Sequence, residues 1–106
     1  APGRAIEKFA RRGRYTLIRN LASHGVGASL HEYPEAIPTW RDASERRPIR
    51  NGQVFTLEPF LSMGADWAVN GDDEWTLLVN QPHPTVQYEH TMVATPRGAI
   101  ITTLAA

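Results

Sequence analysis

Apolar residues recur over the first twelve positions at helical spacing. Ile6, Phe9 and Ala10 fall at i, i+3 and i+4, with Arg4, Glu7, Lys8, Arg11 and Arg12 around them. This predicts a helix over 2–12 that buries its Ile6/Phe9/Ala10 face. Pro2 suits the first turn. Gly13 suits the residue after the end, and Arg11 and Arg12 suit the negative end of the dipole. Beyond Gly13 the apolar residues bunch into short runs. Tyr15, Leu17 and Ile18 predict a short strand over 15–19. Val54 to Leu61, Trp75 to Val79, Thr85 to Thr95 and Ala99 to Leu104 predict further strands, with 85–95 the longest. Between them lie turn residues. Pro38, Pro48 and Asn51-Gly52 make 36–53 a loop, 62–74 is polar with two glycines, 80–84 carries two prolines, and Pro96-Arg97-Gly98 is a turn. Strands joined in this way predict a curved antiparallel sheet, and one helix packed on it gives an α+β unit.

Composition narrows the picture. At 106 residues the chain makes at most one small domain, and residues 1–106 are taken as a single unit. A hydrophobic content of 42% suffices for a modest core. The formal net charge is zero, so no global field favours nucleic acid or an anionic membrane. Arg11, Arg12 and Arg14 lack the interleaved aromatics of a nucleic-acid patch and read as a solvated helix end. Cysteine is absent, which excludes disulfides and thiolate metal sites. No run approaches the roughly 20 apolar residues of a membrane span. The start, Ala1-Pro2-Gly3-Arg4, does not read as a signal peptide, so a soluble cytoplasmic protein is expected.

The stretch Ser23-His24-Gly25-Val26-Gly27-Ala28-Ser29-Leu30-His31-Glu32-Tyr33-Pro34-Glu35 changes the picture most. Two of the chain's four histidines lie here, seven residues apart. Gly25 and Gly27 permit tight backbone, and Pro34 is expected to end regular structure soon after His31. Two carboxylates interrupt predicted strands elsewhere. Glu58 sits between Leu57 and Pro59, on one face with Val54, Thr56 and Phe60. Glu89 is mid-strand, with Gln87, Thr91 and Val93 on its face. Taken singly, Glu58 reads as an edge-strand glutamate facing water, and Glu89 as part of the polar face of a half-exposed sheet. One imidazole and two carboxylates from separate segments also suit a hard or borderline divalent ion such as manganese, iron or cobalt. Spacing alone does not choose between these readings. His83, between two prolines, reads as exposed. His90 reads as a packed or hydrogen-bonded histidine, and Trp40 and Trp67 as packing or loop anchors.

The local sequences add a resemblance. His24-Gly25-Val26-Gly27, Leu30-His31-Glu32-Tyr33-Pro34-Glu35, Val54-Phe55-Thr56-Leu57-Glu58-Pro59 and Gln87-Tyr88-Glu89-His90-Thr91 resemble the motifs of type I methionine aminopeptidases. They stand in that family's order and close to its spacing. The match covers the carboxy-terminal half of the catalytic domain. It implies half of a pita-bread fold and a dinuclear centre of two divalent ions, cobalt, manganese or iron. His24 stands at the family's histidine ligand, Glu58 at a carboxylate ligand that also handles the proton of the attacking water, and Glu89 at a bridging glutamate. His31 stands where a second histidine contacts the substrate's peptide group. Leu30 and Trp75 fall where the family lines its methionine pocket. The residue before His24 is usually glycine in the family. Here it is Ser23, a change expected to leave ligation untouched.

The resemblance implies release of the N-terminal methionine from peptides and nascent proteins. It also implies that two aspartate ligands and another histidine belong to an amino-terminal half. Asp42, Asp66, Asp72 and Asp73 lie in no matching motif. The chain alone is therefore expected to be inactive, and its partners to be that half or a second copy of itself. A proline-directed peptidase of the same fold and a non-catalytic binding module are the competing readings.

Overall fold

A computed structural model describes residues 2–105, with one helix and ten strands among them. The helix α1 spans Pro2–Arg12, as the apolar spacing predicts, but its buried face keeps Ala10, leaves Ile6 half-buried and excludes Phe9. Gly3, Glu7 and Ala10 point inward, while Phe9 is 64% exposed. The reason is close approach. Gly3 lies against the backbone carbonyls of Pro38 and Trp40, where no side chain fits. Glu7 tolerates this inward position because donors meet it there. Its carboxylate accepts from Arg11 at 3.1 Å, from Arg19 at 3.0 Å and from the Arg41 amide at 3.2 Å. Burial opposes its charge, but the Arg41 amide and the two guanidinium groups outweigh that and hold its pKa below the ordinary carboxylate value. The helix end also differs from expectation. The Tyr15 amide donates to the Ala10 carbonyl at 2.8 Å and the Arg14 amide to that of Arg11 at 3.1 Å. This is a Schellman arrangement, and its left-handed residue is Arg14, with φ of 60°, not Gly13.

The strands follow in chain order: β1 Thr16–Leu17, β2 Ser23–Gly25, β3 Glu32–Ile37, β4 Val54–Leu57, β5 Phe60–Ser62, β6 Ala68–Asn70, β7 Leu77–Val79, β8 Thr85–Gln87, β9 His90–Thr95 and β10 Gly98–Ile101. The pairings are antiparallel. A five-stranded sheet has the order β10-β9-β4-β2-β3, a three-stranded sheet the order β1-β5-β8, and β6 pairs with β7. The α+β architecture is the expected one. Ile18, Ala65 and Ala68 form a small core, with Leu21, Phe60 and Val79 packed against it.

Several bounds depart from the sequence reading. Pro34 does not end regular structure. It lies inside β3, after a cis Tyr33–Pro34 peptide. Because β3 is the outer strand of its sheet, a missing amide there is tolerated. The polar stretch 62–74 contains β6. The last strand stops at Ile101, short of Leu104. The predicted strands 54–61 and 85–95 are each divided, the first at Glu58-Pro59 and the second at Tyr88-Glu89. Among the described residues, no helix is long and apolar enough to cross a membrane.

Candidate metal centre

The two divisions face each other. On one side Leu57 pairs with His90, and on the other Phe60 pairs with Gln87. Both pairs obey one register, so Glu58 stands directly across from Glu89. Pro59 has no amide to donate, which opens the ladder at this point. Two carboxylates on opposite strands repel. Burial raises the pKa of Glu58, the Thr56 hydroxyl bond opposes the rise, and the Glu89 charge adds to it; the net shift is upward.

β2 brings the imidazole. His24 is buried, and its Nε2 lies 3.3 Å from Glu58 Oε2. Its Nδ1 is 2.8 Å from the Gly25 carbonyl oxygen. A carbonyl only accepts, so Nδ1 carries a proton, and Nε2 is the ring nitrogen turned toward the carboxylates. One donor atom from each of His24, Glu58 and Glu89 lies within 4.8 Å of the others. Among the described residues this is the group of histidine and acidic side chains able to hold a metal ion. One imidazole and two carboxylates converging in this way fit a divalent cation.

The surrounding hydrogen bonds fix these side chains. The His24 amide donates to Thr56 Oγ1 at 3.1 Å, and that hydroxyl donates to Glu58 Oε2 at 2.8 Å. The Glu58 amide donates to Ser23 Oγ at 3.0 Å. Both hydroxyls are buried. Thr56 was legible only as a face neighbour of Glu58. The two-residue alternation was the signal that it lies beside the carboxylate.

Gly25 is required for the shape of β2. A Cβ there would collide with the Tyr33 carbonyl, where the pairing of β2 with β3 shifts register between Ser23 and Gly25. The following loop carries Leu30 and His31. It is tied down by the Ser29 amide donating to Glu32 Oε2 at 2.6 Å. His31 is exposed, and its ring centroid lies 4.2 Å from that of His24. The expected pocket residues Leu30 and Trp75 are 71% and 89% exposed. His83 is exposed, as expected. His90 is half-buried, and its Nδ1 meets Thr103 Oγ1 at 2.8 Å. Two of the aspartates serve turns, Asp42 accepting from Ser44 and Asp73 from Thr76, and Asp66 accepts from Asn80, 14 residues on.

Comparison with known proteins places the chain among metallopeptidases. The model of metallopeptidase family M24 matches residues 1–96. A methionine aminopeptidase of Staphylococcus epidermidis is 37% identical over 101 residues, covering 95% of this chain and 40% of the relative. Methionine aminopeptidase 2 of Bacillus subtilis is 40% identical over 101 residues, covering 95% of this chain and 41% of the relative. Among solved structures, a methionine aminopeptidase of Thermotoga maritima superposes with a TM-score of 0.85 at 31% identity, over 94% of this chain and 40% of that one. One from Rickettsia prowazekii gives 0.87 at 29%, over 96% and 41%. The chain thus spans about two fifths of the length of the relatives it matches.

Proposed function

Since this chain belongs to metallopeptidase family M24, we propose that residues 1–106 form the carboxy-terminal half of an aminopeptidase that removes the N-terminal methionine from peptides and nascent proteins. The observation that carries this reading is the convergence of His24, Glu58 and Glu89 within 4.8 Å. It occurs in a chain that aligns over 95% of its length with enzymes of that name. Nascent polypeptides as substrate place the reaction in the cytoplasm.

In this reading His24 Nε2 and the Glu58 and Glu89 carboxylates hold two divalent ions, with cobalt, manganese and iron as the candidates. Bound there, the ions supply Lewis-acid activation of water and of the first peptide carbonyl. The protein's own groups do the rest. Glu58 takes up the proton of the attacking water. His31 donates to the peptide group as charge develops on it. Its exposed ring, 4.2 Å from that of His24 between centroids, supports this reading. Leu30 and Trp75 contact the methionine side chain once the rest of the pocket surrounds them. The remaining ligands and pocket wall would come from the other three fifths of the relatives' length, as a preceding segment of the same polypeptide, a separate amino-terminal half or a second copy.

Release of methionine from a Met-Ala-Ser peptide, with manganese or cobalt present, tests this. The chain alone is expected to be silent, and addition of the amino-terminal half of a relative is expected to restore turnover that Glu89→Ala abolishes. Silence with the added half overturns the reading, provided the two halves are shown to associate. Turnover by the chain alone that depends on Glu89 would mean that copies of this chain complete the site.

A further inference from the structure

We infer that Ser23 is a positioning residue for the metal centre, fixing the backbone of Glu58 through a hydroxyl that glycine lacks. The inference rests on the reading of His24, Glu58 and Glu89 as metal ligands. Glu58 lies just past the end of β4, where the chain leaves one sheet for another. The next residue, Pro59, brings no amide to the ladder. At this open point the Glu58 amide is held by Ser23 Oγ at 3.0 Å. Ser23 is fully buried and immediately precedes His24.

The result is a closed latch between the two ligand-bearing strands. The amide of His24, on β2, reaches across to the Thr56 hydroxyl on β4, and that hydroxyl holds the Glu58 carboxylate. In return, the amide of Glu58 reaches back to the hydroxyl of Ser23 on β2. Each ligand is therefore held by a hydroxyl from the other's strand. The sequence alone predicts that Ser23 leaves ligation untouched; we depart from that expectation on geometric grounds. The Ser23 side chain does not reach the ligand atoms, but it sets the backbone from which one of them projects. Removing it frees the Glu58 backbone to move against the Glu89 charge opposite. Outer partners of metal ligands typically govern affinity by about 10-fold or more.

The test titrates cobalt(II) into the chain and reads its visible absorption for the wild type, Ser23→Ala, Ser23→Gly and Glu89→Ala. Thermal unfolding without metal is recorded beside it. The expected result is a cobalt affinity that falls about 10-fold in both Ser23 variants, with an altered ligand-field spectrum. A merely structural serine would lower the unfolding temperature and leave affinity and spectrum unchanged, and that result overturns the proposal. Wild-type binding that is indifferent to Glu89→Ala overturns the metal reading itself and the latch with it. Hydrogen exchange of the wild-type Glu58 amide needs no variant. Slow exchange is expected, and a freely exchanging amide overturns the latch even where the variants do not fold.

Discussion

Glu7 shows how a single residue reverses the usual rule for charge. A carboxylate in the buried face of a helix is costly unless donors surround it. Here Arg11, Arg19 and the Arg41 amide do so, and the pKa is lowered from 4.5. The sign of the pH effect follows. A lowered folded-state pKa contributes stability that is present above the unfolded value and lost as pH falls through the folded one. Stability to urea is therefore expected to fall as pH drops from 5 to 3. Other carboxylates with lowered pKa, Asp42, Glu45 and Asp73, contribute to that loss. The Glu7 share is read from the variant: Glu7→Gln should be less stable at pH 7 and should lose less on acidification. Parallel curves for the two proteins would sink the assignment. Neither Arg19 nor Arg41 is a helical neighbour of Glu7, so nothing in the helical pattern announced this pairing. For the same reason the inward face was read as Ile6, Phe9 and Ala10.

Among the elements, β2 is the most constrained. It is three residues long, all of them buried, and it pairs on both sides. Gly25 allows β3 to cross close by. Gly25→Ala is expected to destabilise the chain by about 1–3 kcal/mol, the usual cost of forcing extra volume into packed structure. Urea unfolding measures this. The same variant should weaken divalent-ion binding, because His24 Nδ1 is anchored on the carbonyl of that residue. An unchanged urea midpoint would show that β3 yields freely. Element type was largely legible from pattern: the helix over 2–12, the strand starts at 54 and 85, and the turn at Asn51-Gly52, where Gly52 takes φ of 87°. Element ends were not. Pro34 reads as a terminator unless one knows that β3 is an outer strand. Ala68-Val69-Asn70 gives no strand signal of its own and becomes one by pairing with β7. The breaks at Glu58-Pro59 and Tyr88-Glu89 are legible only jointly, because each is set by the strand opposite. The candidate ligands His24, Glu58 and Glu89 came from their local motifs, and their convergence came from tertiary pairing.

For the molecule as a whole, the exposed apolar surface stands out. Trp75, Leu77, Leu78, Val86 and Tyr88 are exposed large side chains close together in sequence, and Phe9, Leu30 and Trp67 add to them. Apolar area on this scale marks contact surface. The chain spans about two fifths of its relatives' length, and a complementary half is the proposed cover. Sedimentation velocity of the chain alone is expected to show concentration-dependent self-association, which an added amino-terminal half suppresses. A strictly monomeric chain at high micromolar concentration would mean that this surface is tolerated in water.

The common register of the two strand pairs on either side of the carboxylates has one more consequence. Leu57–His90 and Phe60–Gln87 hold Glu58 and Glu89 opposite each other from both directions. Everything from Met63 to Pro84, including β6 and β7, is an excursion that leaves β5 and returns on β8. Its length does not enter the alignment of the two acids. Insertions and deletions at the tip of this excursion, 71–76, beyond the core residues Ala65, Ala68 and Val79, are thus free to accumulate over evolutionary time. A single-residue slip between 58 and 62, or between 85 and 89, would turn one carboxylate away from the other.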